Sequence, residues 1–454
     1  MITLVYGLGE SGLAAARALA ERGEEVVVAD SDDSEHLRGI VRVLGVEGRL
    51  GVRPEVLEEG FGRIVTSPLI RPQNPVLVAA EDRAVPILSE IGLGLDILSR
   101  EAPGVKVVGV TGTNGKTTVV DMLRAILTAA SVPHAVAGNS WRALTGCLDE
   151  VREKGTLVLE LSSFQLHYLP EPGFDIAALL NVRPDHLNWH TSFEEYVADK
   201  LRVFEGQQPG DLALVSAADE VGRDVSEKLS ATTVVVGKGE TLVVGEKLLV
   251  RGRSLAGVGE LPFAGPHNHE NALFAATVAE DLGVELEGIR EGLLGYRIKP
   301  HRMRVVAERD GVVYVDDSKA TNPAAVAAAL ASFKGPVVLI LGGSEKDTDF
   351  SELLGPIERC CRAVVCHGEA GPRIFEFLEE KGLGMNVFLE TDLTATVARA
   401  QKAARPGDTV LLSPGCASFD QFGGYAERGT AFALLVSARG DGSGETPKRG
   451  AVGR

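Results

Sequence analysis

A glycine-rich segment that ends in Lys-Thr-Thr is the strongest chemical signal in this sequence. It spans residues 110–118, after an apolar run (105–110) and before an amphipathic stretch (119–130). In a strand–loop–helix arrangement of this kind, backbone N–H groups can surround phosphates, a lysine can reach the β- and γ-phosphates, and a hydroxyl can bind Mg²⁺. The segment therefore predicts an ATP site, and the residues expected to form it are Gly112, Thr113, Asn114, Gly115, Lys116, Thr117 and Thr118.

A second glycine loop lies near the N-terminus. Residues 7–12 read Gly-Leu-Gly-Glu-Ser-Gly, they follow the strand-like run 2–6, and Asp30 ends the next strand-like run. Glycines let the backbone approach a phosphate, and a helix N-terminus favours its charge. The loop indicates a nucleotide or dinucleotide site. A tight turn without a ligand is the alternative, and a dehydrogenase is the rival function, although the rest of the chain does not support one.

Both loops need strands and helices that alternate along the chain, and the sequence predicts them. Short apolar runs alternate with amphipathic stretches almost throughout, as in parallel α/β proteins. Polar, Pro- and Gly-containing breaks divide the pattern. We expect three domains: a Rossmann-like one (1–100), a central P-loop ATPase-like one (104–298) and a second Rossmann-like one (299–438). Gly turns within 211–261 indicate a β-rich edge, and the composition of 439–454 predicts a disordered tail.

Composition narrows the class of protein. The chain has 454 residues, 44% of them hydrophobic, with a net charge of −17 and five cysteines. The negative charge argues against nucleic acid as a partner. Five cysteines in a chain of this length do not make a disulfide framework. The sequence shows neither a signal-peptide pattern nor an apolar run long enough for a membrane span. We expect a cytoplasmic, monomeric protein without a membrane span.

Four segments together resemble the Mur ligases, and among them the enzymes that add D-glutamate. These are the phosphate loop at 111–117, Glu-Leu-Ser-Ser-Phe-Gln-Leu at 160–166, Asp-Asp-Ser-Lys-Ala-Thr-Asn-Pro at 316–323, and Leu-Ser-Pro-Gly-Cys-Ala-Ser-Phe-Asp-Gln-Phe at 412–422. The resemblance extends from about Leu4 to Arg428. It implies a cytoplasmic ligase of peptidoglycan synthesis that binds ATP, UDP-N-acetylmuramoyl-L-alanine and D-glutamate, and that forms an acyl phosphate.

The resemblance also implies a metal site. In the family, the positions of Thr117, Glu160 and His186 hold Mg²⁺, and the position of Lys200 is a carbamylated lysine, which would be an anionic oxygen ligand. A carboxylate suits Mg²⁺, whereas an imidazole is more at home on Mn²⁺ or Zn²⁺, so Mn²⁺ is a second candidate. Taken alone, His186 would be a loop histidine and Lys200 a solvated helix lysine. We expect Lys116, Lys200, His186 and Lys319 to serve catalysis.

Further positions match residues that bind the other substrates. The resemblance assigns ATP contacts to Asn268, Asn271, Arg302 and Asp317. Asparagine amides can donate to and accept from adenine, although Asn268 could equally cap a helix. It assigns D-glutamate contacts to Thr321, Lys346, Ser418 and Tyr425.

On the UDP-substrate side, the expected contacts are Gly9, Ser11, Asp30, Ser31 and Asn139. This side also carries the departures from the family pattern. Asp32 replaces a usual arginine, Leu69 and Gly92 replace a usual glycine and glutamate, and Trp141 stands where glycine is usual. These changes affect acceptor contacts and not the type of reaction, and we expect Asp32 to face solvent.

Three rival functions remain at this point. A folate:glutamate ligase shares the phosphate loop, but the loop at 7–12 is not expected in it. Another Mur ligase would not carry 162–165 and 317–322 together. A nucleotide-binding protein without catalysis could keep the fold, but the complete set of expected ligands argues against it.

Overall fold

The chain forms two compact units in a computed structural model, which describes residues 2–187, 189–333, 335–345 and 348–437. The first unit contains Met1–Gly257 and Glu270–Gly295, and the second contains Val258–His269 and Tyr296–Arg454. Lys346 and the tail predicted to be disordered, 439–454, lie outside the described residues.

The first unit begins with a parallel five-stranded sheet in the order β3-β2-β1-β4-β5. The strands are β1 (Thr3–Tyr6), β2 (Val26–Asp30), β3 (Glu47–Leu50), β4 (Arg63–Thr66) and β5 (Ile87–Ser89). The helices are α1 (Glu10–Glu21), α2 (Glu35–Leu44), α3 (Pro75–Asp82) and α4 (Glu90–Glu101). Residues 7–9 join β1 to α1, and the glycine segment 7–12 ends in the first turn of α1, as the pattern predicts.

A parallel six-stranded sheet follows in the same unit, in the order β11-β10-β9-β6-β8-β7. Its strands are β6 (Lys106–Thr111), β7 (Ala135–Gly138), β8 (Thr156–Glu160), β9 (Ile176–Leu179), β10 (Leu212–Ser216) and β11 (Thr232–Val236). Its helices are α5 (Lys116–Ala129), α6 (Leu148–Lys154), α7 (Ser163–His167), α8 (Phe193–Leu201) and α9 (Glu220–Ser226). Strands β9, β6, β8 and β7 are neighbours, so their carboxyl ends meet at one edge, where ligands of open α/β sheets bind.

A small antiparallel sheet accounts for the Gly turns in 211–261. It consists of β12 (Leu242–Val244), β13 (Lys247–Val250) and β14 (Arg253–Gly257). Two helices follow, α10 (Pro266–Asp281) and α11 (Leu286–Gly295). Helix α11 packs closely on α5, because a Cβ atom added at Gly292 would lie 2.4 Å from the Ile126 Cα. Strands β12, β13 and β14 confirm the β-rich edge predicted from the sequence.

The second unit is built on a six-stranded sheet in the order β15-β16-β20-β17-β18-β19, in which only β15 runs antiparallel to its neighbour. The strands are β15 (Arg304–Arg309), β16 (Val312–Asp316), β17 (Val337–Gly342), β18 (Cys361–His367), β19 (Asn386–Leu389) and β20 (Thr409–Leu412). The helices are α12 (Pro323–Leu330), α13 (Leu354–Cys360), α14 (Gly371–Lys381), α15 (Leu393–Ala403) and α16 (Tyr425–Ser437).

Within the first unit, one buried core continues from the N-terminal sheet to the central sheet. Leu19, Leu93, Leu144 and Leu159 belong to it and are fully buried. The expectation of parallel α/β sheets is confirmed. The division into three domains stays a prediction. Among the described residues, no helix combines the length and apolarity that crossing a membrane requires.

Candidate active site

The phosphate loop lies between the end of β6 and the start of α5. Gly115 precedes α5 with a φ of 89°, and a Cβ atom there would lie 2.7 Å from the Asn271 Oδ1, so only glycine fits. The Lys116 Nζ donates to the carbonyl oxygens of Gly112 at 2.7 Å and of Thr113 at 2.9 Å. The ammonium group is thus held over the loop, where a bound phosphate would meet it.

The end of β9 fixes the loop from the other side. Asn181 accepts from the Thr113 backbone N–H through its carbonyl at 2.8 Å and from the Asn114 N–H through its Oδ1 at 2.9 Å. Its Nδ2 donates back to the Asn114 carbonyl at 3.1 Å. The Thr113 hydroxyl lies 2.9 Å from the Tyr196 hydroxyl, on α8. These bonds hold the loop before any ligand arrives.

Lys200 is buried beside this loop, although it lies on a helix. Its residue is only 1% exposed, and its Nζ donates to the Gly112 carbonyl at 3.0 Å and lies 4.6 Å from the centre of the Tyr196 ring. Burial, followed by the charge of Lys116, holds the pKa of Lys200 well below its ordinary value. A buried amine whose pKa is held this low is chemically unlike a solvated helix lysine.

Glu160 ends β8 and accepts four side-chain hydrogen bonds. The Thr117 hydroxyl, the Asn139 amide and the Ser140 hydroxyl donate to its Oε1 at 3.0, 3.2 and 2.9 Å. The Trp141 indole N–H donates to its Oε2 at 3.0 Å. The carboxylate of Glu160 and the hydroxyl of Thr117 are hard oxygen donors at hydrogen-bonding distance, and this chemistry fits Mg²⁺.

His186 is the third side chain that the resemblance assigns to the metal. It lies in the loop after β9 with a φ of 56°, and its side chain is 44% exposed. Its ring packs edge-on against Phe164 at 4.9 Å, and its backbone N–H donates to the Asp185 carboxylate at 2.9 Å. Its assignment as a metal ligand stays a prediction.

A buried histidine–aspartate network links α7 to α8. The His167 Nδ1 lies 2.8 Å from the Asp199 Oδ2, the His190 Nδ1 lies 3.3 Å from the same oxygen, and the His190 Nε2 lies 2.9 Å from the Ser163 hydroxyl. Burial acts to raise the pKa of Asp199, but the contacts with both histidines outweigh it and lower the pKa. With Glu195, His167 and Asp199 also bring potential ligand atoms within 4.8 Å of one another. The hydrogen bonds account for this cluster, which fixes the helix that carries the buried lysine.

The N-terminal glycine loop faces the end of β2. The Asp30 carboxylate accepts from the backbone N–H groups of Leu8 at 2.9 Å and of Asp32 at 3.0 Å. Gly9 precedes α1, Ser11 lies in its first turn, and Ser31 and Asp32 are exposed. Asp30 therefore ties the loop to the next strand end while Asp32 faces solvent.

Helix α10 carries the two asparagines expected to bind adenine. Asn271 is buried, belongs to the first unit and lies against Gly115 of the phosphate loop. Asn268 belongs to the second unit, and its Nδ2 donates to the Ala264 carbonyl at 2.8 Å.

In the second unit, polar groups gather at the carboxyl ends of β16 and β20. The buried Asp317 accepts from the Ser413 hydroxyl at 2.9 Å and from the Met303 backbone N–H at 3.1 Å, and burial raises its pKa to about 7. Arg302 is half-buried between two residues with positive φ, His301 and Met303. Such strained backbone is common at functional sites.

Arg428 joins the two signature segments of this unit. Its guanidinium is fully buried and donates to the Ser318 hydroxyl at 2.9 Å, the Ser318 carbonyl at 2.9 Å, and the carbonyls of Ala417 and Cys416 at 3.0 Å each. Lys319 lies over the Tyr425 ring at 4.0 Å. Ser418 is buried and Thr321 half-buried at the same segments.

Comparison with known proteins decides the family. Residues 110–279 match the Mur ligase middle domain, and residues 301–416 match the domain described as "Mur ligase, glutamate ligase domain". The chain is 64% identical over 438 residues to the UDP-N-acetylmuramoylalanine--D-glutamate ligase of Rubrobacter xylanophilus, covering 96% of this chain and 98% of the relative. The enzyme of the same name from Streptomyces coelicolor is 39% identical, with 96% and 98% covered.

The chain belongs to the Mur ligase family. As a Mur ligase it is an ATP-dependent enzyme that forms an amide bond between an acid and an amino acid. Solved structures share the fold at low identity. MurF from Acinetobacter baumannii has a TM-score of 0.62 at 19% identity, with 91% of this chain and 90% of that chain covered. The UDP-N-acetylmuramate-alanine ligase of Thermotoga maritima has a TM-score of 0.58 at 19% identity, with 96% and 99% covered.

Some contacts of this Mur ligase were not foreseen from its sequence. Asn181 carries no motif of its own in the sequence, and Trp141 stands out there only because glycine is usual at its position. Arg428 ends the region of resemblance but received no role. The sequence did contain a signal for Arg428: it follows the segment 412–422 by only six residues, so the carbonyl groups of that segment are within its reach.

Proposed function

We propose that this Mur ligase adds D-glutamate to UDP-N-acetylmuramoyl-L-alanine in peptidoglycan synthesis, with ATP converted to ADP and phosphate. The observation that carries the choice of substrates is the 64% identity, over nearly the whole of both chains, to a relative with this printed activity. We further propose that it acts as a monomer in the cytoplasm, where ATP and UDP-linked precursors are available.

ATP binds at residues 112–118 in this proposal, with Asn268, Asn271, Arg302 and Asp317 as further contacts. The support is local. Lys116 is already held over the loop by two carbonyl oxygens, and a phosphate oxygen can take their place as its acceptor. Catalysis of phosphoryl transfer depends mainly on positioning and on charge stabilisation, and a held ammonium supplies both.

Glu160 and Thr117 hold Mg²⁺, with His186 and Lys200 as further ligands in this proposal. When bound, the ion supplies positive charge that stabilises the transferring phosphoryl group. The Thr117 hydroxyl now donates to Glu160, and it can turn its lone pairs to a cation without moving the chain.

Lys200 reacts with CO₂ in this proposal: its nitrogen bonds the carbon, one of its two protons is released, and an anionic carbamate remains. A neutral amine is the reactive form, and burial favours the neutral form of this one. The carbamate nitrogen keeps one N–H, so it can still donate to the Gly112 carbonyl, which the amine now contacts at 3.0 Å. The carbamate would place negative charge near the Lys116 ammonium, and its two oxygens are the atoms that a cation would bind.

The reaction begins when the acceptor carboxylate attacks the γ-phosphate of ATP, and ADP leaves. The amine of D-glutamate then attacks the carbonyl carbon of the acyl phosphate, and the tetrahedral intermediate expels phosphate. Lys116 stabilises the charge of the first step. Lys319, Thr321, Lys346, Ser418 and Tyr425 orient D-glutamate, whose two carboxylates call for cationic and hydroxyl partners.

The UDP-linked acceptor binds at Gly9, Ser11, Asp30, Ser31 and Asn139 in this proposal. Backbone N–H groups at the start of α1 suit a diphosphate without a side-chain cation.

Phosphate release tests the proposal. Purified protein with ATP, Mg²⁺ and UDP-N-acetylmuramoyl-L-alanine should release phosphate with D-glutamate and not with L-glutamate, L-alanine, L-lysine or meso-diaminopimelate. A folate acceptor with L-glutamate should give none. Stimulation by another amino acid instead of D-glutamate would overturn the assignment.

A further inference from the structure

Trp141 donates a hydrogen bond to only one of the two carboxylate oxygens of Glu160. Its indole N–H is the donor to Oε2, at 3.0 Å, whereas the Thr117, Asn139 and Ser140 side chains all donate to Oε1. Two of the three donors to Oε1 are hydroxyls that can turn away, whereas the donor to Oε2 is an indole N–H.

The difference matters when a cation approaches. The hydroxyls of Thr117 and Ser140 can rotate their protons away from Oε1, so this oxygen can exchange their hydrogen bonds for a cation. An indole N–H can only donate. As long as Trp141 stays in place, one lone pair of Oε2 is occupied by a proton donor, and the orientation of the carboxylate is fixed by this bond.

We propose that Trp141 is a positioning residue that holds Oε2 and so presents Oε1 of Glu160 to a divalent cation. This inference rests on the proposed function, because that proposal makes Glu160 a metal ligand. Hydrogen bonds behind a metal ligand orient it, and their loss typically weakens metal binding by about 10–100-fold.

The backbone around Trp141 supports a fixed indole. The Trp141 N–H donates to the Gly138 carbonyl at 2.9 Å, and the Gly138 N–H donates to the Arg142 carbonyl at 2.9 Å. The Asn139 N–H donates to the Glu160 carbonyl at 2.9 Å. Gly138 has a φ of 102°, and a Cβ atom there would lie 2.2 Å from the Glu160 carbonyl oxygen. The turn is therefore fastened to the very residue whose side chain the indole contacts.

The first test observes the hydrogen bond itself. The chain has two tryptophans, so protein labelled with ¹⁵N-tryptophan gives two indole N–H signals, and Trp141→Phe assigns one of them. We expect the Trp141 proton signal far downfield, as for a carboxylate acceptor, and still there when Mg²⁺ is saturating. A signal that moves to the position of a solvated indole on addition of Mg²⁺ would overturn the proposal.

The second test measures Mn²⁺ binding to the whole protein by electron paramagnetic resonance, without ATP. Glu160→Gln should abolish the Mn²⁺ site. Trp141→Phe removes the N–H and keeps an aromatic ring, and it should lower the Mn²⁺ affinity of that site by about 10–100-fold. Ser140→Ala is the matched control. It removes a donor from Oε1, which must be vacated in any case, so the affinity should not fall.

Equal losses in Trp141→Phe and Ser140→Ala, or no loss in Trp141→Phe, would overturn the proposal. So would a Mn²⁺ affinity that Glu160→Gln leaves unchanged. If Trp141→Phe does not fold, the indole signal of the wild type, assigned by Trp189→Phe, decides. A wild type that binds Mn²⁺ as expected but releases no phosphate with D-glutamate would refute the proposed function and leave the role of Trp141 standing.

Discussion

Glu90 offers a prediction whose size follows from its surroundings. It is 2% exposed at the start of α4, where its Oε1 accepts from the Thr145 backbone N–H at 2.6 Å and hydroxyl at 2.7 Å. Its Oε2 has no hydrogen-bond partner among the described residues. Burial raises the pKa of Glu90 to about 7 from an ordinary 4.5, against the lowering effect of the Thr145 bonds. The folded protein thus keeps a proton that the unfolded chain gives up.

The sign of the effect on stability follows from proton binding. Below pH 4.5 both states hold the proton, and the pKa of Glu90 has no effect on the free energy of unfolding. Between 4.5 and about 7 the unfolded state loses its proton first, so the protein becomes less stable as the pH rises. Above about 7 the loss is complete, and the difference between the two pKa values corresponds to about 3 kcal/mol.

Glu90→Gln should remove this dependence. The amide oxygen can still accept from Thr145, and the side chain carries no charge at any pH. Relative to the wild type, the free energy of unfolding of the variant should therefore rise by about 3 kcal/mol between pH 4.5 and 8. Urea unfolding followed by tryptophan fluorescence measures it, because both tryptophans lie in the first unit with Glu90.

Glu58→Gln, at an exposed glutamate of the same unit, is the matched control and should stay within about 0.5 kcal/mol of the wild type at each pH. A difference between Glu90→Gln and the wild type that stays constant from pH 4.5 to 8, or one that moves in favour of the wild type, would refute the reasoning.

Three further predictions concern activity. Lys116→Ala should lower the turnover rate by about 10²–10³-fold, since one charged contact to the transition state is lost, and near-wild-type turnover in the folded variant would contradict the ATP site. Lys200→Ala should be almost inactive and should recover part of its rate with added bicarbonate or a short carboxylate. Normal activity of this variant would count against the carbamate, and so would an intact mass and electron density of the wild type that show only an unmodified amine. Asp32→Arg should lower the KM for the UDP-linked acceptor by less than about five-fold, as for an exposed ion pair, and leave the KM for ATP unchanged. A change in the KM for ATP alone would contradict the proposal that the N-terminal loop binds the acceptor.

The features that could be predicted from the sequence are those that depend on residues close together in the chain. The phosphate loop and the position of Glu160 at a strand end follow from spacing along the chain, and the structure has both. Lys200 illustrates the limit: helix periodicity cannot distinguish a solvated lysine from one covered by a loop that lies 88 residues earlier in the chain. The four carbonyl and hydroxyl acceptors of Arg428 and the indole bond of Trp141 likewise depend on segments brought together only by folding.

Transfer of oxygen tests the central claim most directly. UDP-N-acetylmuramoyl-L-alanine labelled with ¹⁸O in its free carboxylate is incubated with the enzyme, ATP, Mg²⁺ and D-glutamate, and the phosphate released is analysed by mass spectrometry. Attack of the carboxylate on the γ-phosphate predicts one ¹⁸O atom in each phosphate and a product that carries one added glutamyl residue and one ¹⁸O atom fewer than the acceptor. Unlabelled phosphate, or labelled phosphate without that product, would contradict the account.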